Sequence, residues 1–179
     1  MHIETNLFKE CNECPCSHLL TEERKKRILI WNNSFYKNLS KIKDVKLILL
    51  GESMPADRYF YDKQSCYNDG FRYNLKVNLN ISSDEELFSY LQKKGVIVID
   101  CAFCPLHCLS TKKARRHSAT YCLQRHNKKI ILDYPSAPIF SFFPSKLGYL
   151  KSEIQDIIVT YQTTFSKIYP IAEYIKKMK

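Results

Sequence analysis

Two short apolar runs, each ended by a carboxylate, constrain the fold of this chain more than any other feature. Val45-Lys46-Leu47-Ile48-Leu49-Leu50 leads into Gly51-Glu52, and Val96-Ile97-Val98-Ile99 leads into Asp100. Runs of this length, apolar on both faces, fit strands buried inside a parallel sheet. Parallel neighbours need a crossover, and a helix signal lies between them: Ser83 and Glu86 have capping-box spacing, and Gly95 closes the helix after Lys94. Such a βαβ unit sets Glu52 and Asp100 at the carboxyl edge of the sheet, where open α/β sheets bind their ligands. Just beyond Glu52 come Tyr59, Phe60 and Tyr61. These rings either stack on a flat ligand such as a nucleobase or belong to the core.

The rest of the chain reads as α/β in a single domain. Thr21 with Glu22 and Glu23 is an N-cap with an acidic first turn. Ile28, Leu29, Trp31, Phe35 and Leu39 follow at roughly helical spacing, which predicts a helix over 22–42. Residues 62–82 are expected to be irregular, with Asp69-Gly70 as a turn signal. Residues 111–134 are expected to be mostly helical, although Ile130-Ile131-Leu132 also fits a strand. A third strand is expected over 138–143, a helix over 146–162, and a terminal helix after Pro170.

With 179 residues and 45% hydrophobic content, the chain can bury a core of its own. Its net charge of +10, from 28 Lys and Arg against 18 Asp and Glu, favours a polyanionic partner, nucleic acid first. Lys112, Lys113, Arg115 and Arg116 are the densest basic stretch, read either as a phosphate-binding face or as a solvated helix face. Met1–Glu10 lacks the apolar stretch of a secretory leader, and no apolar run approaches a membrane span. A cytoplasmic, monomeric protein is therefore expected. In a reducing compartment its 8 Cys point to metal or cluster binding for some of them. Cys11 and Cys14 form a C-x-x-C pair whose tight turn brings two thiolates to one side, and Pro15 follows directly. Cys16, Cys66, Cys101 and Cys108 read as plain buried or surface thiols.

Together these residues resemble the uracil-DNA glycosylase superfamily. Gly51-Glu52-Ser53-Met54-Pro55 is similar to the Gly-Glu-x-Pro loop of its iron–sulfur-containing branch. With Tyr59-Phe60-Tyr61 it is similar to the Gly-Glu-Ser-Pro-Pro…Tyr-Phe-Tyr loop of poorly characterised relatives. Asp100 stands where that branch usually has a base-recognising Asn. Cys104 lies 4 residues after Asp100, and Cys122 lies 18 after Cys104. The resemblance implies a three-layer αβα fold with a short parallel four-stranded sheet, and a Cys-rich segment over residues 8–20 packed on it. It implies a [4Fe–4S] cluster held by Cys11, Cys14, Cys104 and Cys122. Zinc, with His18 or His107 as a substitute ligand, is the alternative.

The implied activity is a DNA glycosylase that hydrolyses the N-glycosidic bond of a modified or deaminated base in base-excision repair. Glu52 and Asp100 are the candidate catalytic residues. Gly51, Ser53, Phe60 and Tyr61 are candidate base-binding residues. Lys112, Lys113, Arg115, Arg116, Ser145 and Lys146 are candidate phosphate contacts on DNA. Two departures bear on this. The family's closing His-Pro-Ser-type loop has no His-Pro counterpart, and Phe143-Pro144-Ser145-Lys146 is the stand-in. An ionised Asp only accepts hydrogen bonds, so Asp100 suits a base edge carrying amino or imino hydrogens better than uracil. The alternative is a non-catalytic nucleic-acid-binding protein of the same fold, stabilised by a cluster or zinc. A third option is a Cys-rich redox or metal-handling protein.

Overall fold

The two apolar runs become adjacent parallel strands. The computed structural model describes residues 8, 10–54, 59–61, 70–141, 159–162 and 168–179. β1 (Leu47–Ser53) and β2 (Val96–Ala102) pair in parallel, with Leu47 opposite Val96 and Gly51 opposite Asp100. The register puts Glu52 and Asp100 at one end of the sheet. β3 (Ile139–Ser141) pairs with the other side of β1, and β4 (Val159–Gln162) pairs with β3, giving the strand order β2-β1-β3-β4, all parallel. The protein is thus mixed α/β, with helices on both sides of a parallel sheet.

The helix over α1 (Glu22–Leu39) starts where its cap predicts: the Thr21 hydroxyl accepts the Arg24 N–H at 3.2 Å. Its inner face presents Ile28, Trp31 and Phe35 to the core, and it ends three residues before Ile42. The region expected to be irregular contains a helix instead, α2 (Gly70–Leu79). Phe71, Leu75 and Leu79 recur every four residues and bury one stripe, which outweighs the turn preference of Asp69-Gly70. Residues 62–69 lie outside the described residues.

α3 (Asp84–Lys94) matches its sequence signals at both ends. Ser83 accepts the Glu86 N–H at 3.1 Å, and the Glu86 carboxylate reaches back to the Ser82 N–H at 3.2 Å. Gly95 closes the helix at φ 71°, and its carbonyl accepts the Lys46 N–H at 2.7 Å, locking the start of β1 beside the start of β2.

The stretch 111–134 is helical in three pieces: α4 (Lys112–Cys122), a π-helical turn over Leu123–Asn127, and α5 (Lys128–Leu132). Ile130, Ile131 and Leu132 are therefore helical. The helix expected over 146–162 is corrected at its end, because 159–162 is β4; parallel pairing against β3 suits a Val-Thr-Tyr sequence. Residues 142–158 lie outside the described residues. α6 (Tyr169–Lys177) is the expected terminal helix, with Pro170 in its first turn, and it packs on α2. Cys14 and Cys16 of the N-terminal segment join the same core cluster as the sheet. Among the described residues no helix is long and apolar enough to cross a membrane.

Gly95 offers a direct check on this frame. A Cβ there would sit 2.3 Å from the Asp44 carbonyl oxygen, in a left-handed backbone that side chains disfavour. Gly95→Ala should destabilise the fold by at least ~1–2 kcal/mol, read as a lowered midpoint in urea unfolding.

Candidate metal centre and strand-end site

The loops that leave β1 and β2 are pinned by one buried cation. Arg24 projects from the first turn of α1 and donates to the Met54 carbonyl at 3.2 Å and to the Phe103 carbonyl. Its guanidinium carbon lies 4.5 Å from the centre of the Trp31 ring. Burial lowers its pKa to about 10, which still leaves Arg24 a cation at neutral pH. The loop carbonyls of both strands thus share one charge-assisted donor.

The two acids occupy that same end. Glu52 is half-buried and forms an ion pair with Arg115 of α4 at 2.7 Å. Asp100 is buried, and its backbone carbonyl accepts a hydrogen bond from the Asn127 side chain at 2.6 Å. Burial raises the pKa of the Cys101 thiol, and Asp100 and then Glu52 add to the shift. Both carboxylates therefore bear on one point in β2. Gly51 is buried, and Ser53 is half-buried opposite Ala102.

The aromatic residues do not line this site. Tyr59, Phe60 and Tyr61 are buried among Trp31, Phe35, Phe71 and Phe88. The Tyr61 hydroxyl accepts the Val98 N–H at 2.9 Å. β2 is an outer strand, so this bond satisfies a backbone donor on its open side. The stacking role expected of Phe60 and Tyr61 is corrected accordingly: their rings carry core packing, and Tyr61 also caps a strand edge.

A cavity lies behind the loop after β2. It is lined by Cys11, Cys14, Cys16, Cys104, Cys122 and His126, with Phe103 and Tyr121 closing its sides. Cys11 lies in a 3-10 turn over Glu10–Glu13, and Cys14 and Cys16 lie between it and a second 3-10 turn over Ser17–Leu19. Cys122 is the last residue of α4, and its sulfur accepts the Phe103 N–H at 3.4 Å. The π turn then brings His126 to 3.4 Å from the Cys11 sulfur while turning Asn127 toward Asp100. Cys14 and Cys16 sulfurs are 3.2 Å apart.

The four cysteines of the expected framework thus meet in one cavity, and sequence reasoning missed two further members. Cys16 reads as a plain thiol in the sequence, yet it lines this cavity. His126 follows Cys122 by four residues, a helical spacing that was there to be read. His18 is exposed, and the side chain of His107 lies outside the described residues. Cys101 is buried within β2 and Cys108 is exposed, as plain thiols would be; Cys66 lies outside the described residues. Lys112, Lys113 and Arg116 are exposed on α4, whereas Arg115 is drawn into the pair with Glu52; Ser145 and Lys146 lie outside the described residues.

The donor set fits a soft metal group. Thiolates and imidazole favour zinc or an iron–sulfur cluster over oxygen-seeking cations. The hydrogen bond from the Phe103 N–H to the Cys122 sulfur is of the kind that tunes clusters. As the side chains stand, no three His, Cys, Asp or Glu among the described residues are placed to hold a metal ion. Hydrogen bonding with Cys16, together with burial, pushes the Cys14 pKa far up, and burial does the same for Cys122. Set against family models, curated proteins and solved structures, the chain matches none.

Two outcomes follow for the metal-free protein. Arg24→Met removes the donor to two loop carbonyls and should cost about 3 kcal/mol of unfolding free energy, whereas exposed Arg27→Met should be close to neutral. The Cys16 pKa is raised from 9.0 to about 11, chiefly by hydrogen bonding with Cys104. A raised folded-state pKa gives stability that is full below the unfolded value and is lost as pH climbs through the folded one. Urea midpoints should therefore fall between pH 9.0 and about 11, and fall less in Cys16→Ala.

Proposed function

We propose that this chain is a DNA glycosylase of the uracil-DNA glycosylase type, holding a [4Fe–4S] cluster in the cysteine cavity. The observation that carries the reading is the meeting of Cys11 and Cys14 with Cys104 and Cys122 in one buried cavity, directly behind the strand ends that bear Glu52 and Asp100. A common ligand would give two cysteine pairs so far apart in sequence a reason to converge there. When bound, the cluster would clamp the N-terminal segment to the loop after β2, with no redox turnover required.

Cleaving an N-glycosidic bond builds positive charge on the sugar and negative charge on the departing base. The base must first leave the stack and enter a pocket at the strand ends. In this reading Glu52 stabilises the sugar cation or activates water. Its partner Arg115 neutralises it in the free protein, and an incoming phosphate competes for the same guanidinium. Asp100 accepts hydrogens from the base edge, which favours a base with amino or imino hydrogens. Lys112, Lys113 and Arg116 hold phosphates from the exposed face of α4.

The burial of Phe60 and Tyr61 favours a second reading, a nucleic-acid-binding protein without base release, because it removes the stacking platform expected of a glycosylase. One experiment separates the two. Duplexes carrying uracil, hypoxanthine or xanthine are incubated with anaerobically purified protein, and abasic sites are cleaved with alkali. Strand breaks are expected on at least one substrate, and Glu52→Gln should slow them at least ~100-fold with little change in DNA affinity. Binding without breaks on any substrate leaves the second reading. Replacing Lys112 and Lys113 with Gln should reduce the salt slope of binding by about two.

A further inference from the structure

The cysteine cavity holds one thiol more than a four-thiolate group needs, and its position is informative. Cys11, Cys104 and Cys122 enter from three separate elements: the first 3-10 turn, the loop after β2 and the end of α4. Cys14 and Cys16 enter from the same short stretch with their sulfurs in contact at 3.2 Å. Both are nearly inaccessible to solvent, Cys16 at 2% and Cys14 at 6%. Each iron of a [4Fe–4S] cube takes one protein sulfur, and sulfurs on neighbouring irons stand well beyond contact distance. Two touching thiols one residue apart therefore reach the same corner of a cube.

We propose that Cys14 and Cys16 are interchangeable ligands for one iron of the cluster, with Cys11, Cys104 and Cys122 holding the other three. The proposal rests on the cluster reading above and extends it to a thiol outside the C-x-x-C pair. Whichever sulfur is not bound remains beside the cluster as its nearest replacement.

The test compares wild type, Cys14→Ala, Cys16→Ala and the double variant, all purified without oxygen. Iron, acid-labile sulfide and visible absorption are measured per chain, and circular dichroism scores folding. Each single variant should keep iron within about twofold of wild type, and the double variant should lose at least about tenfold. A Cys14→Ala protein as empty as the double variant, with Cys16→Ala unchanged, would make Cys16 a bystander and overturn the proposal. So would a double variant that keeps its cluster, or a Cys16→Ala protein that alone is empty. If an alanine variant is unfolded, the near-isosteric Cys14→Ser and Cys16→Ser pair repeats the comparison. Wild-type protein holding zinc or no metal is a different result, since it removes the cluster reading itself.

Discussion

A single guanidinium holds the working end of this protein together. Backbone carbonyls at the ends of parallel strands have no further strand to pair with, and burying them unpaired is costly. Arg24 satisfies one carbonyl from the loop after β1 and one from the loop after β2, and it rests against Trp31 on its own helix. The packing of α1 on the sheet and the positions of the two loops are therefore one structural fact. Anything that tilts α1 moves Met54 and Phe103, and with them the residues on either side: Glu52 and Ser53 before one, Cys104 after the other. A buried cation close to Cys104 also means that negative charge gathered on the thiols meets a countercharge already in place.

The π-helical turn between α4 and α5 provides a second link. An ordinary helix would carry residues 126 and 127 round by a fixed angle after Cys122. The wider turn lets adjacent side chains serve two sites, His126 at the Cys11 sulfur and Asn127 at the Asp100 carbonyl. Helical irregularities of this kind are found disproportionately at functional positions. The cysteine cavity and the strand-end acids are thereby joined through three short paths: the 100–104 segment, Arg24, and this turn. α4 adds a fourth, since it carries Cys122 at one end and Arg115, the partner of Glu52, nearer the other.

Much of this frame could be read from the residues. The two apolar runs gave adjacent strands because parallel neighbours buried on both faces leave little else for such sequences to do. Ser83, Glu86 and Gly95 fixed α3 because capping chemistry is local. Local signals failed where two of them competed. Asp69-Gly70 looked like a turn, yet the stripe of Phe71, Leu75 and Leu79 had a core to pack against, which no short window reveals. The segment before Gln162 carries a helical pattern, and β4 exists because β3 offers an open edge. Phe60 and Tyr61 beside a reactive loop looked available to a ligand, but which way a ring faces depends on α1 and α3, far away in sequence. The cysteine framework was legible as spacing. The inclusion of Cys16 and His126 was not, because it depends on the turn geometry at both ends of a long-range contact.

The contact between Cys11 and His126 spans 115 residues of sequence. During synthesis the first thiols leave the ribosome long before the loop after β2 and the end of α4 exist, since chains emerge at about 5–20 residues per second. Three of the five cavity cysteines therefore wait, exposed, until residue 122 has emerged and the sheet has formed around β1 and β2. The cysteines of residues 11–16 are made before the loop and the helix end they dock against, and they are among the last groups that can dock.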